Sequence, residues 1–284
     1  MNAFLLGLVS ALRTLFATRT AIASGVIFVA ICLAALMAPW IAPYGMAEQN
    51  LLERLEPPSA SHWMGTDNFG RDIFSRVLWG TRISLLVGIG ATIVGLIVGG
   101  AVGIWAGYKG GRWDMFLSRV LDVLMSFPAL ILCLLIVAMI GPGVPQLISA
   151  IAVSLIPKFA RVARSSALAI GHREFIDACR TMGASDARIV VRHILPNVGG
   201  ELVVMASLWT AHAILIEASL SFLGLGVSPP TPTLGGMMLE GLNLLHEAPW
   251  LTLMPGLAIL LAVLVLNVIG DSLRDAVDPR LSAA

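Results

Sequence analysis

Between Asp122 and Lys158 the chain carries no charged side chain. About 20 apolar residues at a 1.5 Å rise cross the roughly 30 Å hydrocarbon layer of a bilayer, so this interval is too long for one crossing. It is interrupted by Gly141-Pro142-Gly143-Val144-Pro145, which predicts a hairpin of two membrane helices. The same reading places a first span at 20–41, within an apolar stretch that ends at Pro39 and Pro43. A second lies within 83–108, where the glycines suit close helix contact. A fifth covers roughly 202–223 and contains His212 and Glu217, and a sixth covers about 251–270. The expected fold is an all-α integral membrane protein with six transmembrane helices. Composition agrees: 57% of residues are apolar and 12% charged, against roughly 45–50% and 25% in soluble chains. A water-facing exterior is excluded on that ground.

Lys and Arg are retained on the cytoplasmic side of short loops. With the N-terminus inside, Arg54, Arg71, Arg76 and Arg82 fall outside, and the other 14 of the 18 basic residues, Lys109 and Lys158 among them, fall inside. Both termini are therefore expected in the cytoplasm. Trp40, Trp105, Trp113 and Trp250 sit near the span ends, where an amphipathic ring prefers the headgroup layer. Residues 1–19 lack a basic stretch ahead of an apolar run, so they read as a short amphipathic cytoplasmic segment before an uncleaved anchor rather than a secretory signal.

Several chemistries are absent. Cys32, Cys133 and Cys179 have no CxxC spacing and read as small buried hydrophobes, not as a zinc or redox site. Neither lysine stands in GxxxxGK[ST], so the chain has no phosphate loop of its own. No HExxH or GxSxG occurs, and no catalytic or metal-binding residue is expected. The net charge of +1 says nothing by itself about nucleic-acid or acidic partners, and no nucleic-acid partner is expected.

Two hydrophilic segments exceed what a turn requires, at about 42–82 and 158–200. In the second, Phe175, Ala178, Cys179 and Met182 recur at i, i+3, i+4 and i+7, an apolar stripe beside Glu174 and Asp177. Gly183 supplies a left-handed stop, followed by Ala184, and Ser185 and Asp186 are placed to cap a second short helix that meets Pro196 where the chain turns into the fifth span. The geometry leaves two readings open: the stripe lies against the bundle or lipid, or it docks onto another protein. In the first segment Asp67 is a plausible N-cap, Asp72 and Arg76 an i, i+4 pair, and Phe69, Ile73 and Val77 an apolar face, predicting a separate surface helix.

Glu217 is costly inside a bilayer and must face protein or water, with Ser219 or a backbone donor to satisfy it. Packing and a substrate pathway both remain open. His212, about 140° around the same helix, is expected to be a buried, hydrogen-bonded histidine rather than a relay partner.

Asp177-Ala178-Cys179, Gly183, His193, Leu195 and Pro196 have the spacing E-A-A-x3-G-x9-I-x-L-P, with Asp, Cys and His in place of Glu, Ala and Ile. That pattern resembles the cytoplasmic signature of bacterial ABC importer permeases. His62-Trp63-Met64-Gly65-Thr66-Asp67, Gly70-Arg71-Asp72, Glu217 to Gly226, Pro229-Pro230-Thr231-Pro232 and Gly270-Asp271 resemble the C-type permeases of its peptide and nickel branch. The resemblance implies the type I ABC importer fold, an N-terminal segment at 1–19, an extracytoplasmic segment at 42–80 with an amphipathic helix, a permease core at 81–272, and a tail at 273–284. It implies that 165–198 forms a coupling loop contacting an ATPase through Glu174, Phe175, Asp177, Ala178, Cys179, Met182, Gly183, Ala184, Leu195 and Pro196. The implied partners are a homologous second permease, two ATPase subunits holding ATP and Mg, and an extracytoplasmic solute-binding protein, all at the bacterial inner membrane. Peptides are the expected cargo, with nickel or a metal chelate as the alternative. A stand-alone membrane enzyme or secondary transporter is the rival from another class.

Overall fold

A computed structural model describes residues 19–277, and all regular elements among them are helices. The principal helices are α1 (Arg19–Leu36), α2 (Ala38–Ile41), α3 (Ile73–Lys109), α4 (Gly111–Met125), α5 (Ala129–Ile140), α6 (Val144–Gly171), α7 (Glu174–Thr181), α8 (Asp186–Ile189), α9 (Leu195–Phe222), α10 (Leu234–Gly241) and α11 (Trp250–Val277). Among the described residues five helical segments are long and apolar enough to cross a membrane, and a sixth crossing exists only if α4 and α5 act together. The readings on residues 1–18 and 278–284 lie outside the described residues.

The centre of the bundle is the parallel pair α3 and α6, along which Gly90 meets Ile148 and Gly107 meets Ala167. Gly95, Gly99, Gly103 and Gly107 recur every four residues, so they line one face of α3. Against that face α6 sets Phe159, Ala160, Ala163 and Ala167, all fully buried. A Cβ built on Gly103 would lie 2.2 Å from the Ala160 carbonyl oxygen, and one on Gly107 2.5 Å from that of Arg164. These are backbone contacts, which no side-chain rotation can relieve. The other side of α3 meets α9, where Gly100 faces Leu202 and Gly88 faces Ile214. Helix α11 packs on α9 and α10, and α1 leans on α11 and α3 with most of its surface exposed.

The predicted hairpin break is present, with Gly141 and Gly143 at φ values of +89° and +147°. The third span differs from a straight helix. α5 has 12 residues, about 18 Å of helix and short of the roughly 30 Å needed, and α4 meets it at an 89° bend. Pro128 stands at the break, lacking an N–H and disfavouring helix at Phe127. Helix α4 is bolted along α6 by the Arg164–Asp114 fork and by Arg161 donating to Asp122 at 2.9 Å. Lys158, Arg161 and Arg164, counted above as loop residues, therefore belong to α6.

The separate surface helix expected around Asp67–Val77 is instead the start of α3. Asp72 is the N-cap, its carboxylate accepting from the Ser75 N–H at 2.7 Å. Asp67 is buried and accepts from the backbone N–H groups of Phe69 and Arg71. Arg76 pairs with Asp67 and Glu240 rather than with Asp72, and Arg71 joins the same two carboxylates. Gly70, at φ +69°, lets the loop pass so close to Asn50 that no side chain fits there. His62 lies between two acids, Nδ1 2.9 Å from Asp72 and Nε2 3.3 Å from Glu53. His62, Thr66, Asp67, Arg71 and Asp72 thus face inward as a polar cap at one end of the bundle, whereas Trp63 is exposed.

Replacing Gly103 with Val forces α3 and α6 apart. We expect the melting temperature of the detergent-solubilised chain to fall by the equivalent of about 1–3 kcal/mol or more, whereas Gly25→Ala, with open space around it, leaves it unchanged. Burial disfavours the charged His62, but the hydrogen bonds to Asp72 and Glu53 outweigh it and raise its pKa above 6.5. A proton held more tightly in the folded state stabilises the cap fully below the unfolded value, and that stability is lost as pH rises through the folded one. Hydrogen exchange across residues 53–72 should accelerate on raising the pH from about 6 to about 9 beyond the intrinsic chemical rate, and His62→Gln should abolish that excess.

Candidate coupling elbow

At the opposite end of α3, about 55 Å from the cap for a 37-residue helix, the chain leaves α6 and forms a short elbow. Helix α7 is amphipathic and ends in a Schellman turn. The Ala184 N–H donates to Cys179 O and the Gly183 N–H to Arg180 O, each at 3.0 Å, with Gly183 at φ +80°. The predicted glycine stop is therefore observed, and open space surrounds Gly183, so backbone conformation alone demands glycine.

The apolar stripe divides into two faces. Ile176, which lies outside the predicted stripe, is fully buried beside half-buried Cys179, in a cluster with Ile189, Ile194 and Ala167. Phe175 at 42% and Met182 at 77% relative exposure share the outward face with Ala178, flanked by Glu174 and Asp177. Gly183 is exposed and Ala184 half-buried. Ile176 and Cys179 are an i, i+3 pair, as are Phe175 and Ala178, so spacing alone did not tell the anchoring face from the outward one.

Ser185 occupies the N-cap position of α8 but its side chain makes no capping bond. Asp186 turns to α3 instead, accepting from Tyr108 Oη at 2.7 Å and from Lys109 Nζ at 2.5 Å. Lys109 first and Tyr108 second hold the Asp186 carboxyl below its ordinary pKa, so this tether persists at neutral pH and is lost only under acid conditions. Arg180 lies 5.3 Å over the Tyr108 ring. Tyr108 and Lys109 had no distinguishing sequence signal, because nothing local links them to residue 186.

The turn expected at Pro196 is absent. Asp186–Phe222 forms one continuous rod, with a π-helical turn over Val190–Ile194 just ahead of the proline. A wider turn there accommodates the missing Pro196 N–H without breaking the helix. Leu195 is exposed and Pro196 half-buried at the start of α9. The elbow meets this rod through His193, 3.8 Å from Cys179 Sγ and edge-on to Phe175.

Glu217 is fully buried. Ser84 Oγ of α3 donates to one carboxylate oxygen at 2.5 Å and Ser221 Oγ to the other at 2.8 Å. Ser219, the expected partner, donates to its own helix at Leu215 O instead. Glu217 therefore ties α3 to α9 as a packing residue. His212 corrects a second expectation, since it stands on the exposed face of α9, edge-on to Trp209 at 5.1 Å.

Residues 99–283 match the family described as the inner membrane component of binding-protein-dependent transport systems, and residues 8–58 match the N-terminal transmembrane domain of oligopeptide transport permease C. The dipeptide transport system permease protein DppC of Alkalihalophilus pseudofirmus is 42% identical over 96% of this chain and 90% of its own length. The glutathione transport system permease protein GsiD of Pectobacterium atrosepticum is 41% identical over 95% and 90%. Among solved structures, an inward-facing conformation of the MetNI methionine ABC transporter aligns with a TM-score of 0.59 at 19% identity, covering 72% of this chain and 97% of that one, which shows the type I importer fold. The chain belongs to the family of multi-pass permease components of binding-protein-dependent ABC importers, in its peptide branch.

Proposed function

We propose that this chain forms half of the pathway of an ABC importer for short peptides, beside a homologous second permease, and that its elbow receives the motion of partner ATPases. In this reading the polar cap faces outward, toward an extracytoplasmic solute-binding protein, and α7 and both termini face the cytoplasm. ATP and Mg are held by the partner subunits, and this chain makes and breaks no bonds. The dipeptide and glutathione named for its relatives are small peptides, which favours peptides over a metal chelate as cargo.

The observation that carries the proposal is the two-faced elbow. One face of α7 is bolted to the bundle by Ile176 and Cys179, while Phe175, Ala178 and Met182 project outward among charges. Large apolar side chains on a polar surface mark a contact with another protein. A rigid turn at Gly183 and the Asp186 tether to α3 would pass a displacement of that face into the bundle rather than dissipate it in a flexible loop. ATPase closure would then shift the pathway between the two permeases toward one side, and hydrolysis would return it.

Gly183→Val strains the left-handed turn by about 1–2 kcal/mol or more. Membrane insertion should be retained while ATP-dependent peptide uptake by the reconstituted complex falls at least tenfold. Normal ATPase association together with normal uptake would refute the coupling role, as would cross-linking from Ala178 that captures only lipid in a working complex.

A further inference from the structure

Among the described residues Lys158 forms no ion pair, although it sits inside a membrane-spanning helix. It follows Val144, the first residue of α6, by 14 positions, about 21 Å of helix. Across the seam, Gly99 meets Ile156 and Phe159. Lys158 is therefore level with a point roughly ten residues, or about 15 Å, along α3 from Lys109. Its ammonium lies 3.8 Å over the Trp209 ring, and Trp209 in turn meets His212 edge-on.

Lys158 thus reaches from α6 to Trp209 of α9, and His212 stands on the exposed face of α9. Trp209 and His212 also line an open groove of about 390 Å³, bounded across by Val263 and Asn267 of α11. Hydrocarbon cannot solvate a lysine, an indole N–H, an imidazole and an amide gathered at this depth, so the strip must face water or protein. A cation–π contact occupies one side of the ammonium and leaves N–H donors for an anion. Glu217, the carboxylate in the same span, is already satisfied by Ser84 and Ser221.

We propose that Lys158, held by Trp209 and flanked by His212, binds the carboxylate of a peptide in transit, a charge-assisted contact made at mid-pathway. The proposal rests on the peptide-importer reading above and adds to it the chemical group that is recognised. Lys158 acts here as a binding residue for the passing anion, and Trp209 as its positioning residue.

The test uses the complete transporter, with both permeases, the ATPases and the binding protein, reconstituted in liposomes with radiolabelled alanyl-alanine and, in parallel, glutathione. Lys158→Met should keep assembly and ATP hydrolysis within about twofold of wild type but lower the peptide moved per ATP by about tenfold, the scale of one charge-assisted hydrogen bond. Lys158→Arg should restore that ratio. An unchanged ratio in Lys158→Met overturns the proposal, as does a parallel fall in hydrolysis and uptake, which would assign Lys158 to gating. Loss of the second permease from the purified Lys158→Met complex would place the ammonium in an ion pair between subunits and overturn it as well. A wild-type complex that moves neither peptide removes the peptide reading itself, and this proposal with it.

Discussion

The backbone-to-backbone contact between α3 and α6 is the constraint on which the rest of the bundle depends. Lipid tails are as apolar as a leucine side chain, so membrane helices associate through close packing rather than through the hydrophobic effect. Four glycines at four-residue spacing remove every Cβ from one face of α3, and the alanines and Phe159 of α6 fill the space. Because α3 carries Asp72 and Arg76 at one end and Tyr108 and Lys109 at the other, the seam makes cap, core and elbow parts of a single body.

Polar side chains follow from the same rigidity. The cap concentrates Asp67, Arg71, Arg76 and Glu240 into one network in which each buried charge has an opposite neighbour. Removing one partner from such a network is far more destabilising than its net contribution suggests. Glu217 obeys the same rule with two serine hydroxyls. Lys158 breaks it, with an aromatic face as its contact and no acid paired with it among the described residues.

The signals that could be read from the chain were local ones. Gly141 and Gly143 marked the hairpin because their φ angles exclude side chains, and Gly183 marked the elbow for the same reason. The small residues of α3 announced close packing. By contrast, Asp67 and Asp72 are equally good caps in isolation, and the choice fell to Asp72 because Asp67 is claimed by Arg71 and Arg76. The predicted α7 stripe included Phe175 and Met182 but omitted Ile176, since a helix of eight residues has too few positions for periodicity to separate an anchoring face from a docking one. His212 was assigned the opposite degree of burial from that observed, and Glu217 found Ser84 and Ser221 rather than Ser219, because exposure and partners depend on which neighbour covers each side of α9.

The sequence by itself determined the membrane-spanning class, the hairpin break at Gly141–Gly143 and the glycine-stopped elbow. Hydropathy over about 20 residues and a positive φ are properties of a segment and its own backbone. Only the tertiary structure decided which charges neutralise one another, which side of α7 is free, that α9 runs unbroken through Pro196, and that Lys158 lies within the span without an acid. Those outcomes depend on residues up to 169 positions apart, as Arg71 and Glu240 are, and a contact across that distance exists only after the helices have packed.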